Sequence, residues 1–396
     1  MKTFKGFARP DGSVGIRNHV LIMAVDECAE GIARAIADKI SNAVVVTNYN
    51  TCMYGGNEEM INTMTQSGIN PNVAGALVLA MGCGSIDPEI VSAPIRATGR
   101  PAYSLTCVKQ KGTRATIQEG LELAKQLEAY AAGVERVDTP VSELIVGVKC
   151  GGSDTSSGIA SNPSVGRAVD MMVEDGMTAV AGELIELIGC EDILRERAVS
   201  EEVADKIVRL IEEEEKRWHI EGADVETMSI GNSVGGLTTL EEKSLGALHK
   251  TGTCAIQDVL QINNSGHLKP TKPGMYLSEV THLCGGAGMH FAALGTHMVL
   301  WTTGGAGFNN AIVPVIRVSG NQHLINEDID IDATGIMRAE EGIDSVANRI
   351  VDKVNAVANG EQTNIEEIGY AYCSLYQKDQ RLERLLSIEP IPVFCG

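Results

Sequence analysis

Short apolar runs alternate with amphipathic stretches through the first half of the chain. "HVLIMAV" (19–25), "AVVVTN" (43–48), "AGALVLAM" (74–81), "AYSLT" (102–106), "SELIVGV" (142–148) and "TAVAGE" (178–183) read as buried strands. Between them, "AEGIARAIADKI" (29–40), "EEMINTMTQSG" (58–68), "PEIVSAPIRATG" (88–99), "TRATIQEGLELAKQLEAYAAG" (113–133) and "SVGRAVDMMVEDG" (164–176) carry a helical pattern. Strand, helix, strand at this spacing predicts right-handed crossovers and a mostly parallel open sheet covered on both faces. "SEEVADKIVRLIEEEEKRWHIE" (200–221) reads as an acidic amphipathic helix with a solvated face. A boundary is expected just after it, between an N-terminal α/β domain over 1–225 and a second α/β domain over 226–396. The second half is less regular until "GIDSVANRIVDKVNAVANG" restores a helical pattern.

The strand ends draw attention. Cys28, Cys52, Cys83, Cys107 and Cys150 each lie at or just past the C-terminal end of a predicted strand. In an open parallel sheet those ends form one edge, where ligand sites lie. Each thiol taken alone reads as a small buried hydrophobe; as a set they read as a soft-ligand site. Paired short spacings, the mark of structural zinc, are missing, so the expectation is iron, as Fe2+ or an iron–sulfur cluster. The chain opens "MKTFKGFARPDG" without an apolar leader, which together with ten cysteines predicts a reduced, cytoplasmic compartment. The glycine-broken segment between Glu279 and Arg317 reads as buried core, and no membrane span is expected. A net charge of −20 and 4% aromatic residues argue against nucleic acid.

After "ELIVGV" the chain runs "KCGGSDTSSG" (149–158), more polar than a turn requires. Its glycines admit close backbone approach, and Ser153, Asp154, Ser156 and Ser157 offer hydrogen bonds to a hydroxylated ligand. It lacks the lysine of a P-loop, and no GxGxxG follows the first strand, so nucleotide binding is weakly supported.

"RPDGSVGIRNHVLIM", "CGGSDTSSGIASNPSVG" and "GNSVGGLTTLEEKSLGALHKTG" together resemble the signatures of the altronate/galactarate dehydratase family, which includes the large subunit of sulfolactate sulfo-lyase. The resemblance implies lyase chemistry on a small hydroxy acid: loss of water from a sugar acid such as altronate or galactarate, or of sulfite from sulfolactate. It also implies ferrous iron, with Cys28, Cys52, Cys83 and Cys150 at cysteine positions of the family. Longer members carry a small N-terminal domain ahead of the "RPDG" segment, so a separate small subunit is the implied partner, and a homo-oligomer is expected. The motif positions carried over for substrate binding are Arg17, Asn18, Ser153, Asp154, Asn162, Asn232, Glu241 and Ser244. Glu183, Glu186 and Lys243 also fall on motif positions. Three departures bear on the substrate: Gly84 and Lys149 stand where the family often has acidic residues, and Gly305 where it often has arginine.

Elimination from a hydroxy acid needs a base for the proton α to the carboxylate, positive charge for the enediolate, and a proton or Lewis acid for the leaving group. Lys243 in "LTTLEEKSLG" is a surface lysine by composition and a base or carboxylate partner by motif. Glu183 and Glu186 follow the strand "TAVAG" and either bind metal or substrate hydroxyls or cap the helix "LIELIG", and Glu186 is a catalytic candidate. His297 is an acid/base candidate and equally a core histidine. Arg17 and Asn18 either hold a carboxylate or tie down the N-terminal segment. A non-catalytic metal-binding subunit is the alternative from outside enzymology.

Overall fold

Apolar runs buried on both faces are what parallel strands require, and these runs build two parallel sheets. The computed structural model describes residues 2–49, 58–110, 112–220, 229–261, 269–305 and 309–375. In chain order its strands are β1 (Thr3–Ala8), β2 (Val14–Gly15), β3 (His19–Ala24), β4 (Ala43–Thr47), β5 (Val73–Ala80), β6 (Ala102–Thr106), β7 (Arg136–Pro140), β8 (Ile145–Cys150), β9 (Thr178–Ala181), β10 (Ile256–Leu260), β11 (Gly274–Ser278), β12 (Met298–Thr302), β13 (Val315–Ser319) and β14 (Ile331–Asp332). The order β4-β3-β5-β6 makes a four-stranded parallel sheet, and β10-β11-β9-β8-β12-β13-β14 a seven-stranded parallel one. β1, β2 and β7 form a small antiparallel sheet that the apolar pattern did not announce.

The mixed α/β class and the six predicted strands agree with the structure. The division of the chain differs from the expected one. β8 and β9, from the first half, pair with β10–β14 from the second, so one sheet spans residue 225. The sheets themselves divide the chain between β7 and β8. The acidic stretch before the expected boundary is a helix, as its pattern predicts, Glu201–Ile220, and it packs against β10. Its apolar positions Ile207, Leu210 and Ile211 are buried in the core of the seven-stranded sheet.

The two sheets share a core. Helices Glu58–Gly68 and Cys284–Ala293 pack together between them, so Met60, Met64 and Leu21 join Phe291, Trp301 and Tyr276 in one apolar cluster. Asn70 and Asn72 stitch the junction, donating from Nδ2 to Ala292 O (2.8 Å), Thr296 O (3.0 Å), His297 O (2.9 Å) and Ile312 O (3.0 Å). Among the described residues no helix is long and apolar enough to cross a membrane.

Candidate active site

The C-terminal edge of the seven-stranded sheet is where polar residues are buried together. Beyond β8 and β12 the backbones stay paired, Gly151 N to Thr302 O and Gly304 N to Gly152 O, both 2.7 Å. This draws "CGGSD" against Thr303–Gly305. Asp154 then fixes the turn. Its carboxylate accepts from Ser156 Oγ (2.8 Å), Ser157 N (2.8 Å) and Asn321 Nδ2 (2.9 Å). Gly304 is required here, because a Cβ at that position would fall onto the Asp154 carboxylate. The chain continues as a π-turn, Ser157–Ser161, into the helix Asn162–Glu174, an irregularity often found at functional sites.

Opposite this turn lies the helix Leu240–Leu248, capped by Thr239, whose Oγ1 accepts from Glu242 N. Between them is a cavity of about 240 Å³ lined by Ser153, Asn162, Lys243, Gly246 and His249, among others. Asn162 donates from Nδ2 to Gly246 O (2.9 Å). Its Oδ1 and the Ser244 hydroxyl are buried with no hydrogen-bond partner among the described residues. Asn232 donates to Ser153 O (2.9 Å) and so braces the turn from outside.

Behind Lys243 a cluster of charges is buried. Lys250 Nζ lies 2.5 Å from Glu186 Oε2, and Lys243 Nζ 3.5 Å from Glu186 Oε1. Lys149 pairs with Glu183 Oε1 and stands over the Trp301 ring, 4.8 Å from its centre. Burial pushes the Glu186 carboxyl up, but Lys250 and Lys243 outweigh it and hold Glu186 well below the usual carboxylate range. Burial, then the Glu186 charge, pushes Glu183 well above that range. Burial disfavours the Lys243 ammonium, yet Glu186, Cys150 and Glu183 together more than offset this and its pKa lies above normal. Burial also raises the Cys150 thiol, as does Glu186, and its Sγ sits 3.0 Å from Ser153 Oγ. Glu183 itself has φ 71° and ψ 77°. Holding a non-glycine residue in that left-handed region costs about 1–2 kcal/mol, a strain that concentrates at functional sites.

Residues 6–132 match the second domain of the D-galactarate dehydratase/altronate hydrolase family, and residues 141–380 match the D-galactarate/altronate dehydratase C-terminal domain. The chain is 32% identical to the (2R)-sulfolactate sulfo-lyase subunit beta of Chromohalobacter salexigens, over 93% of this chain and 96% of that one. It is 31% identical to the altronate dehydratase of Bacillus subtilis, over 95% of this chain and 78% of that one. It is 30% identical to the L-threo-forming galactarate dehydratase of Escherichia coli, over 92% and 74%. The chain belongs to the galactarate/altronate dehydratase family. Its named relatives are lyases, and one is a subunit of an assembly.

Within this dehydratase-family site the structure gathers Ser153, Asp154, Asn162, Glu186, Asn232, Lys243 and Ser244 around one cavity and its floor. Of these, Asp154 has its acceptors filled and shapes the turn. Glu241 is exposed in the first turn of its helix, outside the cavity lining, where its charge favours the helix N-terminus.

Three other expectations fall away from this site. Arg17 is a tie for the chain: its guanidinium donates to both oxygens of Glu366 (2.9 and 2.8 Å) and to Ile16 O, Val357 O and Glu361 O, leaving no donor over. Asn18 bridges Arg9 and Ala131 O. Both border a larger cleft of about 810 Å³ that contains none of the buried lysine–glutamate cluster. His297 is a core histidine. Its Nδ1 accepts from Ile145 N (3.0 Å), Nε2 donates to Val14 O (2.8 Å), and burial lowers its pKa to about 4.

Among the described residues, Cys28, Cys83 and Cys150 do not form one metal-holding group. Cys28 and Cys83 follow β3 and β5 of the four-stranded sheet and are exposed, whereas Cys150 ends β8 of the other sheet and is buried. Among the described residues no three Cys, His, Asp or Glu side chains group to hold a metal ion. Cys52 lies outside the described residues. Strand ends were legible from the sequence, but membership of one sheet or two was not.

The site also contains groups the sequence did not mark. Lys250 and His249 are both in the quoted "GALHKTG", next to the residues that were singled out. A fully buried lysine is rare enough that composition gives no signal for one.

Proposed function

We propose that this chain eliminates water from a sugar acid, of the altronate or galactarate class, to give a 2-keto-3-deoxy acid. The observation that carries the reading is the charge of the cavity floor. Lys243 is the ammonium of the cavity lining, and behind it Lys149 and Lys250 are buried with two glutamates, Glu183 and Glu186, while the wall carboxylates Asp154 and Glu242 are taken up by Ser156, Ser157, Asn321 and Thr238. The surplus positive charge suits a carboxylate, and a volume of about 240 Å³ suits a small acid.

In this reading the Lys243 ammonium seats the carboxylate and stabilises the enediolate as negative charge moves onto it. This is the carboxylate-partner role, which fits its raised pKa better than that of a base. His249, the imidazole lining the cavity, takes the proton from C2. The C3–O bond then breaks, and the proton collected is the one the departing hydroxide needs to leave as water. The resulting enol becomes the 2-keto acid by moving its hydroxyl proton to C3. Asn162 Oδ1, buried and unpartnered among the described residues in the cavity lining, is placed to hold a substrate hydroxyl.

Iron remains part of the proposal only at the edge of the four-stranded sheet, where Cys28 and Cys83 are exposed beyond neighbouring strands. The described residues do not complete a ligand set there, and no step above passes through a metal. A small partner subunit is also proposed. Ile159 and Leu245 are exposed in the cavity lining, and Ile230 and Val234, one helical turn apart and 84% and 83% exposed, lie on the short helix whose Asn232 braces Ser153. Apolar groups of this kind around a site mark a surface that a partner covers.

A second reading, release of sulfite from sulfolactate, is favoured by the nearly end-to-end match to the sulfo-lyase subunit beta. Anaerobic assay with ferrous iron, with and without a small subunit, tests both. A 2-keto-3-deoxy acid from altronate or galactarate supports the first; free sulfite from sulfolactate supports the second. Neither product under any combination overturns both. Metal and inorganic-sulfide analysis of the anaerobic protein tests the iron proposal, and a metal-free protein with full turnover removes it.

A further inference from the structure

The two glutamates of the cavity floor cannot both be ordinary carboxylates. Glu183 Oε1 accepts from Lys149. Glu183 Oε2 is buried and has no donor among the described residues. Its neighbour in the cluster is the Glu186 carboxylate, three residues on in the same turn, whose charge disfavours a second one beside it. Glu186 is already claimed by two ammonium groups, Lys250 and Lys243, so it is the member that stays ionised. The left-handed backbone at Glu183 and the bond from Glu186 N to Glu183 O (3.1 Å) hold the two side chains in this arrangement.

We infer that Glu183 is protonated in the resting site, that Oε2 donates this proton to Glu186, and that the proton sets the surplus positive charge that seats the substrate carboxylate. With it, the buried cluster behind Lys243 holds three ammonium groups and one carboxylate; without it, it holds two carboxylates, the wall carboxylates Asp154 and Glu242 being the same in both states. Glu183 is thus a positioning residue that acts through Glu186 and Lys243. The inference rests on the hydroxy-acid reading for its function, but not for the proton itself.

The groups facing Glu183 are consistent with this. Lys149 and, beyond Glu186, Lys250 favour its ionised form; burial and the Glu186 charge oppose it more strongly. On its other side is a second cavity of about 20 Å³, bordered by Glu214, Arg217, Glu279 and His282. That volume admits about one water, which gives the proton a route of exchange that does not pass through the substrate cavity.

Two measurements on the intact chain test the inference. Difference infrared spectroscopy with isotope-labelled glutamate reads the carboxyl directly. A protonated-carboxyl band that shifts with the label, fades as pH rises from about 6 to about 9, and is missing from Glu183→Gln supports it; no such band in the wild type overturns it. Calorimetric titration with glycerate, a dihydroxy acid, reads the consequence. Wild-type affinity is expected to fall about tenfold over the same pH range. In Glu183→Gln, whose amide keeps a donor toward Glu186, the fall is expected to be under about twofold. Equal falls in the two proteins, or no glycerate binding at any pH, overturn the link between proton and substrate seat. Neither measurement needs turnover, so the band with no product from any hydroxy acid overturns the proposed function and leaves the proton on Glu183.

Discussion

Lys250 Nζ and Glu186 Oε2 meet at 2.5 Å with side-chain exposures of 0% and 6%. Such a pair is weak evidence of stability while intact and costly when broken, because Glu186 would be left buried with only the more distant Lys243, at 3.5 Å. Lys250→Met is therefore expected to destabilise the chain by about 3–5 kcal/mol. Adding Glu186→Gln in the same chain should recover a large part of that loss while leaving turnover abolished. Denaturant unfolding of the single and double variants reads the first effect, and product formation the second.

Lys243 shares Glu186 with Lys250 but stands further off, at 3.5 Å, and borders the cavity. Removing it leaves Glu186 its closer partner. Lys243→Met should lower kcat/KM by about a hundredfold or more, the usual cost of losing a group that stabilises developing negative charge, with a stability loss well below that of Lys250→Met. Near-normal turnover in this variant would remove Lys243 from the mechanism.

His297 makes the opposite prediction. Neutral in the fold with a pKa lowered to about 4 from 6.5, it binds fewer protons folded than unfolded around pH 5. A depressed group of this kind contributes its stability in full above the unfolded value and loses it as pH falls toward the folded one. Stability should therefore fall between about pH 6.5 and 4, with His297 accounting for about one proton taken up on unfolding. In His297→Gln, thermal unfolding across that range should show a shallower acid limb by about one proton. An unchanged limb would show that the imidazole titrates normally in the fold.

These contrasts show what the sequence contained. The parallel strands were legible because each is a short run buried on both faces, and the site edge was legible because strand C-termini announce it. Sheet membership was not. Nothing in "LIVGVKC" says that β8 lies beside β12 and apart from β5, so Cys150 looked equivalent to Cys28 and Cys83. Nor does a motif distinguish a side chain that touches a ligand from one that holds the chain. Arg17 and Lys243 stand in equally specific motifs, and only contacts separate a guanidinium saturated by Glu366 and three carbonyls from an ammonium that borders a cavity. The helix Glu201–Ile220 was legible as amphipathic, but the boundary expected after it is not there, because one sheet spans residue 225. The charge of the helix described its outer face, while the apolar positions that dock it on the sheet are spaced among glutamates.

Gly304 and Gly305 offer a test of the turn over the cavity that leaves its charges untouched. A Cβ at Gly304 would overlap the Asp154 carboxylate, while among the described residues one at Gly305 would meet only Gly152 Cα, at 3.6 Å, an ordinary contact. Asp154 cannot retreat freely, because Ser156, Ser157 and Asn321 hold it, and Asn321 also donates to Gly304 O (3.0 Å). Gly304→Ala must therefore move the Ser153–Ser157 turn bodily. Overpacking of this kind costs about 1–3 kcal/mol, and a displacement of about 1 Å at a positioning element costs about a hundredfold in rate. Gly304→Ala should show both losses and Gly305→Ala neither to that extent, by kcat/KM and thermal unfolding measured side by side. Equal tolerance of the two substitutions would show that the turn is not what positions the substrate, and would move attention from the serines to the helix Leu240–Leu248 on the other wall.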